Sequence, residues 1–410
     1  MIDVARLRYA PDFRVAIGGA PVPAALRASL SSVTFQSGLE GADRVELTLV
    51  NEKLRWLDHP LLALDQQVAL SAGYAPDPLK QIFVGEVVSS SATFPSTGVP
   101  TLVVAAQDRR QRLQQGTKVR WFARNVTCQG NFPIPDMAVA GIVSLENRLI
   151  PIFDPVSAAL GILLGAADEA IAMGDPNKMQ QIIRKQQGES DYDFLRRICR
   201  ENVWEMIVDH SGPLGGQRLS FTSPLSHLEP DVTLQYGRSL IEFTPRITNV
   251  GQIAAVSTKI WKPDIKMEFT VTVSWDWDRN SLNLSISPGF GMSAQGADDG
   301  GSGDRLMLVD EPVNQHSAPR VMLAKLLTKL NQRLTCSGST IGNPQITAGS
   351  VVRIEKVGEQ FGGLYRVTSA NHSFDSGGYR TNFEARKEIW FGSIPMVEQG
   401  AVRVSVPGLS

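Results

Sequence analysis

The spacing of apolar and polar positions changes period twice along the chain. Val45, Leu47 and Leu49 alternate with Glu46 and Thr48, the period-2 pattern of a strand with one buried face. Phe83-Val84-Gly85-Glu86-Val87-Val88 and Leu102-Val103-Val104-Ala105-Ala106 predict two more strands, separated by the turn-rich Ser96-Thr97-Gly98-Val99-Pro100. Residues 1–119 are therefore expected to form an antiparallel β module. From 120 to 235 the period becomes helical. Asp154-Pro155, an N-cap acid followed by proline at the first helical position, predicts a helix over 156–173. That helix is apolar nearly all round, which suits burial or a partner surface. A second helix is expected after Ser190: Ser190 and Asp193 stand in S-x-x-D relation, and Asp191 adds negative charge at the positive end of the dipole. Phe194, Leu195, Ile198 and Cys199 form its apolar stripe, with Arg196, Arg197 and Arg200 opposite.

Alternation returns from 236. Phe269, Val271, Val273, Trp275 and Trp277 alternate, Asp278-Arg279-Asn280 turns the chain, and Leu282, Leu284 and Ile286 alternate back. Residues 288–304 are Gly-rich and aperiodic, which predicts a loop. Ser317 and Pro319 open a helix whose face carries Leu323, Leu326, Leu327, Leu330 and Leu334. In the last block, 351–391, the segments 365–372 and 379–386 flank Asp375-Ser376-Gly377-Gly378, a hairpin signal. The order is β, mixed α/β, β. No repeat is detectable between the two β halves at the level of sequence.

Composition narrows the class. The 410 residues suffice for two to four domains, and 42% hydrophobic against 20% charged is an ordinary globular balance. Lys and Arg total 40 against 41 Asp and Glu, a net charge of −1 that offers no overall pull toward nucleic acid or an anionic membrane. Cys128, Cys199 and Cys336 lie far apart with no CxxC, which predicts reduced thiols rather than a disulfide frame or cysteine-based zinc site. The N-terminus has no apolar h-region, and the most apolar window, 156–167, falls short of the ~20 residues of a membrane span. Synthesis in the cytoplasm without a signal peptide is the expectation.

The five histidines show neither HExxH nor short metal-ligand spacing, and GxSxG and P-loop motifs are absent. No catalytic, cofactor-binding or metal residue is proposed from sequence. His372, in an alternating strand, is expected to be a hydrogen-bonded structural residue. The acidic run from Asp298 to Asp304 matches no EF-hand spacing and is read as a solvated loop rather than a calcium site. Arg109, Arg110 and Arg112, followed by Lys118, Arg120 and Arg124 around Trp121 and Phe122, form a basic stretch. Asp108 beside it weakens a nucleic-acid reading and favours a charged rim between protein subunits. Arg outnumbers Lys 28 to 12, as expected of a surface that pairs with protein carboxylates. Trp275 and Trp277 share a strand face, where packing under the hairpin is favoured over sugar stacking.

Three stretches resemble the phage late-control protein D family, which includes the hub part of VgrG-type spikes. They are Gln187-Gly188-Glu189-Ser190-Asp191-Tyr192-Asp193-Phe194-Leu195-Arg196-Arg197; Leu234-Gln235-Tyr236-Gly237-Arg238-Ser239-Leu240 with Phe243-Thr244-Pro245; and 342–349 ending at Gly349, continued through Tyr365, His372, Gly377, Gly378 and Tyr379. The resemblance implies a β-rich α+β fold with two antiparallel β-barrel modules, 1–119 and 236–391, around a mixed middle region, 120–235. Segments 125–180 and 265–310 are insertions relative to it, and 392–410 is a tail. It implies a trimer with a pseudo-sixfold ring that serves as a structural baseplate hub, joining a hexameric inner tube to a trimeric spike. The implied partners are a second and third copy, the inner tube protein, a separate spike protein and baseplate wedge proteins, with no nucleic acid and no direct membrane span. Because the chain stops at Ser410, after Ile394, Met396, Val402 and Val404, the spike is expected to be a separate polypeptide. Phe391 and these four residues are then candidate contacts, together with Arg109, Arg110 and Arg112. The expected setting is a phage-like particle: a virion, a released particle or a cell-anchored one. Two readings from other classes are a cell-wall hydrolase and a carbohydrate-binding module carried by such a particle.

Overall fold

A computed structural model describes residues 10–126, 130–172, 180, 182–247, 253–262, 267–276, 281–289, 305–308, 331, 334–388 and 402–405. The first six long strands are β1 (Ala10–Ile17), β2 (Leu30–Gly38), β3 (Arg44–Val50), β4 (Gln67–Ala75), β5 (Lys80–Thr93) and β6 (Thr101–Gln107). They pair antiparallel in the order β2-β3-β6-β5-β4-β1. The alternation read at 45–49 is the buried face of β3. Its Val45, Leu47 and Leu49 share one core with Val15, Val33, Phe35, Leu70, Phe83 and Val104. Side chains from both end strands, β1 and β2, enter that core, so the sheet curls on itself as a barrel does.

The middle region holds β7 (Lys118–Val126), β8 (Gly130–Pro133), α1 (Asp136–Glu146), β9 (Ile150–Phe153), α2 (Pro155–Ala172), β10 (Arg184–Glu189), α3 (Asp191–Asn202), β11 (Glu205–Asp209) and β12 (Arg218–Thr222). Two small sheets, β10-β7-β8 and β9-β12-β11, enclose a core of Phe122, Val139, Val143, Phe194, Leu195, Ile198, Trp204 and Phe221. Helix α1 contributes Val139, Ala140 and Val143, so this part of the segment read as an insertion is integral to the core. Both predicted helix starts are present. Asp154 accepts from the N–H groups of Val156 and Ser157 at 2.9 and 3.0 Å. Ser190 accepts from Asp193 N–H at 3.1 Å while its hydroxyl donates to the Asp193 carboxylate at 2.7 Å, an N-cap made through the serine side chain.

The remaining strands are β13 (Val232–Gln235), β14 (Leu240–Ile247), β15 (Ile253–Lys262), β16 (Met267–Asp276), β17 (Ser281–Gly289), β18 (Arg305–Leu308), β19 (Leu334–Ile341), β20 (Val351–Glu355), β21 (Gly363–Asp375), β22 (Gly378–Arg386) and β23 (Val402–Ser405). The long hairpin read in the sequence is β16–β17, in a separate five-stranded sheet ordered β18-β15-β16-β17-β23. Its second strand runs on to Gly289, past the point where the aperiodic stretch begins. The C-terminal strand is part of this sheet: Val402 stands opposite Leu282 and Val404 opposite Leu284 in parallel register. Trp275 lies opposite Leu282, whereas Trp277, the turn 278–280, residues 290–304, the helix expected from Ser317, and Phe391, Ile394 and Met396 lie outside the described residues. Among the described residues no helix is long and apolar enough to cross a membrane.

The other six strands form a second module with its own core, ordered β14-β19-β22-β21-β20-β13. Counted from its first strand, each module therefore runs second, third, sixth, fifth, fourth, first. Registers agree as well as order. The row Phe35–Val45–Ala106–Val87 in the first module matches Pro245–Cys336–Ala385–Val367 in the second. Both second strands carry a bulge at the same step, Leu30/Ser32 and Leu240/Glu242. Both fifth strands do too, at Val87/Ser89 and Val367/Ser369. Asp65 and Gly349 hold the same positive-φ position before the fourth strand, each donating its N–H to the matched valine carbonyl at 2.9 Å. One feature differs: β1 runs antiparallel to β4, and β13 parallel to β20. The modules are also not separate barrels. The second half of β21 pairs with β2, Ser369 opposite Gly38 through Phe374 opposite Val33, and fuses both, with the two-residue strand Ala20–Pro21 beside β1, into one 13-stranded sheet.

Candidate functional site

Three polar joints hold the modules and the middle region in one arrangement, and of the residues singled out in the sequence Arg109, Arg110, Arg112, Gly349, His372 and Tyr379 fall there. Arg110, in the turn Arg110–Leu113 after β6, is fully buried. Its guanidinium donates to Asp43 at 2.6 Å and Asp108 at 2.9 Å, and to the carbonyls of Gly38 and Met206 at 3.2 and 3.3 Å. Arg110 is thus no rim residue. It ties β2 of the first module to β11 of the middle region. Burial opposes ionisation of Asp43, but the Arg110 charge and hydrogen bonds from His210 and Gly38 overcome it and hold that carboxyl below its ordinary range. His210 Nδ1 accepts from Val84 N–H at 3.1 Å, which places its proton on Nε2, 2.9 Å from Asp43. Ligand atoms of Asp43, Asp108 and His210 lie within 4.8 Å of one another, the one such three-ligand group among the described residues. Their oxygens already face a guanidinium, so the charge a metal would bring is supplied by Arg110.

Arg109 and Arg112 flank this joint and converge on Glu86, at 3.3 and 2.6 Å. The matching pair in the second module has its signs exchanged: Arg366, aligned with Glu86, meets Glu388, aligned with Arg109, at 2.9 Å. Arg366 also donates to the carbonyls of Gly349, Pro224 and His227, which anchors the chain leaving the middle region. Arg386 bridges Glu388 and Glu205 of β11; burial, with Glu388 adding to it, raises the Glu205 carboxyl above its usual range despite Arg386 and Arg366.

The third joint is the β2–β21 seam. His372 stands opposite Phe35 and stacks on it, ring centroids 5.5 Å apart. Its Nε2 donates to the Ile346 carbonyl at 2.8 Å, and Nδ1 accepts from the hydroxyls of Tyr379 and Thr381 at 2.9 and 3.0 Å. Burial pushes His372 down to about 4, against the Ile346 hydrogen bond and with the charge of Lys80 adding to it. This is the structural histidine expected from its strand pattern. Phe374 stacks on Tyr379 at 4.0 Å and meets Phe13 at 5.2 Å, and Tyr74 donates to the Gly342 carbonyl at 2.9 Å.

The other motif residues are framework. Asp191 is buried beneath Lys118, Asn147, Gln186 and Arg120, whose hydrogen bonds and charge hold its carboxyl low against the cost of burial. Phe194 stacks on Phe122 at 5.3 Å, and Glu189 pairs with Arg197 at 2.5 Å. Tyr365 is buried and donates to the Phe361 carbonyl at 2.6 Å. Gly349 sits at φ +87° with Ile207 where a Cβ would go, and Gly377 and Gly378 make the hairpin turn. Several large apolar side chains are exposed: Trp121 at 65% and Val119 at 82% on β7, Ile162 at 64% on α2, and Phe94 at 59% beyond β5; of these, Val119 and Phe94 were not singled out in the sequence. The all-round apolar pattern of 156–173 was the signal for the α2 surface, and Phe94 had none.

Comparison with solved structures places this architecture. The chain superimposes on the 43 kDa tail protein of prophage MuSo2 from Shewanella oneidensis with a TM-score of 0.60 at 11% identity, covering 92% of this chain and 98% of that one. It superimposes equally, 0.60 at 11%, on the tail protein of Neisseria meningitidis MC58, covering 96% and 100%. The E. coli c3393 protein, a type VI secretion component described as structurally similar to the T4 tail proteins gp27 and gp5, matches at 0.56 and 11%, covering 94% and 80%. At these identities the likeness is one of fold. No curated protein matches the sequence. The family model described as Alg8 N-terminal domain matches residues 168–376, just over half of the chain, and the chain belongs to that family.

Proposed function

We propose that the chain is a structural hub of a phage-like tail or contractile injection particle, a symmetry adaptor without catalysis that seats a sixfold inner tube on a threefold spike. One observation carries the reading: a single chain holds two β modules of the same strand order and register, so three chains present six near-equivalent modules. The likeness to two tail proteins and a type VI secretion component supports that setting. In this reading the duplicated modules meet the inner tube, the exposed apolar side of α2 meets baseplate wedge proteins, and the region around Val402 and Val404 faces a separate spike protein. The work is positional. The arginine joints of Arg110 and Arg366, both buried, and of half-buried Arg386 suit it, because they lock module angles through directional bonds.

The test is assembly. Mixed with the inner tube protein and spike of its own particle, the chain should appear by electron microscopy as threefold density between them. A well-behaved monomer that binds neither, or peptidoglycan clearing that vanishes on replacing one acidic residue, would refute the proposal.

A further inference from the structure

The duplication makes the in-chain seam a template for a second one, because each edge used at the first has an unused counterpart. In the first seam, residues 369–374 of β21 pair with 38–33 of β2. The gapless alignment of the fifth strands carries β21 onto β5, Ser369 onto Ser89 and Phe374 onto Phe94. The alignment of the second strands carries β2 onto β14, Val33 onto Phe243 and Gln36 onto Arg246. Among the described residues both counterparts are open. Strand β5 pairs with β4 only up to Glu86, and Ser89, Ser90, Ser91 and Thr93 are exposed. Strand β14 pairs with β19 on one side, and its Ile241, Glu242, Thr244 and Arg246 are exposed. Most telling is Phe94. Its counterpart Phe374 is 5% exposed inside the first seam, whereas Phe94 is 59% exposed.

We propose that the open edge of β5 in one copy pairs antiparallel with the open edge of β14 in a second copy, in the register of the in-chain seam. This rests on the hub reading and specifies its subunit interface. Ser90 then stands opposite Ile247 of the second copy, Ser91 opposite Arg246, Ala92 opposite Pro245, Thr93 opposite Thr244, and Phe94 against Phe243. The two edges of one chain differ, so the contact is head-to-tail and continues until a ring closes. Small side chains at 89–93 let the neighbouring backbone approach, and Pro245 forfeits one donor at most, as edge strands tolerate. The N–H and C=O groups along both edges, which no strand pairs among the described residues, supply the main-chain bonds of strand addition.

Cysteine pairs read this register directly. Adjacent antiparallel pairs alternate between hydrogen-bonded and closer non-hydrogen-bonded positions, so S91C/R246C and S90C/I247C together include one pair spaced for a disulfide. Oxidation of the full chain should then give covalent oligomers from at least one of these double variants. The out-of-register S91C/T244C and the single variants should give none, and F94E should shift the chain to monomer in light scattering while keeping its circular dichroism. Oligomers that cross-link at neither pair overturn the seam and leave the hub reading standing. A chain that stays monomeric at its highest soluble concentration overturns the seam. A cross-linked ring that binds neither inner tube nor spike supports the seam and refutes the hub.

Discussion

Arg110→Met tests the joint between the first module and the middle region. The substitution keeps most of the volume and removes the guanidinium that pairs with both Asp43 and Asp108, two buried carboxylates. Removing one partner of a buried ion pair costs about 3–5 kcal/mol, because the remaining charge stays desolvated. Two features adjust that range. Asp108 keeps the N–H groups of Asp43 and Arg110 at 2.8 and 2.7 Å, which pulls the cost down. The carbonyls of Gly38 and Met206 lose their donor, which pulls it up. A loss of about 4 kcal/mol results, on the order of 10 °C in thermal midpoint for a unit of this size. The pH dependence gives the sign. In the native chain Asp43 titrates below its ordinary range, so its contribution is present above the unfolded carboxylate pKa and lost as pH falls. Without Arg110 the main opponent of burial is gone, and protonation relieves the site. The deficit of the variant should therefore shrink between pH 7 and pH 5 in urea titrations, and R110M/D43N/D108N should recover most of it. A deficit under about 1 kcal/mol, or one that widens in acid, would refute the assignment of Arg110 as the neutralising charge.

His372 gives a second pH signature. With a folded value of about 4 against roughly 6.5 unfolded, its stabilisation is full above pH 6.5 and is lost as pH falls toward 4, by up to about 3 kcal/mol; His372→Asn should flatten that slope in denaturant titrations at a series of pH values. Gly349→Ala should cost about 1–3 kcal/mol, because φ is +87° and the new Cβ would lie 2.5 Å from Ile207 Cδ1, and differential scanning calorimetry will show it. Ile162→Glu should leave the thermal midpoint unchanged while lowering incorporation into particles, since this side chain is 64% exposed; an unchanged particle yield would remove α2 from the wedge interface.

Local signals were legible in the sequence because their causes are local. Alternation at 45–49 marks β3, Asp154-Pro155 and Ser190 mark two helix starts, and Asp375-Ser376-Gly377-Gly378 marks the turn between β21 and β22. Of the basic stretch, Arg110 departs from the expected rim because what buries it, Asp43 and Met206, is remote in sequence; only Asp108 was in view. The duplication was hidden for a different reason. Over the aligned stretch from Glu86 to Phe94, only Val87, Ser89 and Phe94 match their counterparts Val367, Ser369 and Phe374. Backbone pairing conserves register through bulges and a positive-φ entry, and these constrain side-chain identity weakly.

The exchanged charges show what is gained by carrying both modules in one chain. Six identical subunits around an axis must present the same residue at every equivalent place, whereas two covalently linked modules are free to differ at each of them. At one such place Glu86 collects Arg109 and Arg112 within its own module. At its counterpart, Arg366 meets Glu388 and reaches across to the carbonyls of Pro224 and His227. The reversed direction of β13 beside β20 is a second difference, at the strand that receives the chain from the middle region. Both differences lie on the side tied to the middle region, whereas the bulges and the second, third, fifth and sixth strands that frame the seam keep their register. In the proposed hub, a module pair alike at its edges and unlike at its joints would repeat sixfold where it touches its neighbours and threefold where it holds the middle region.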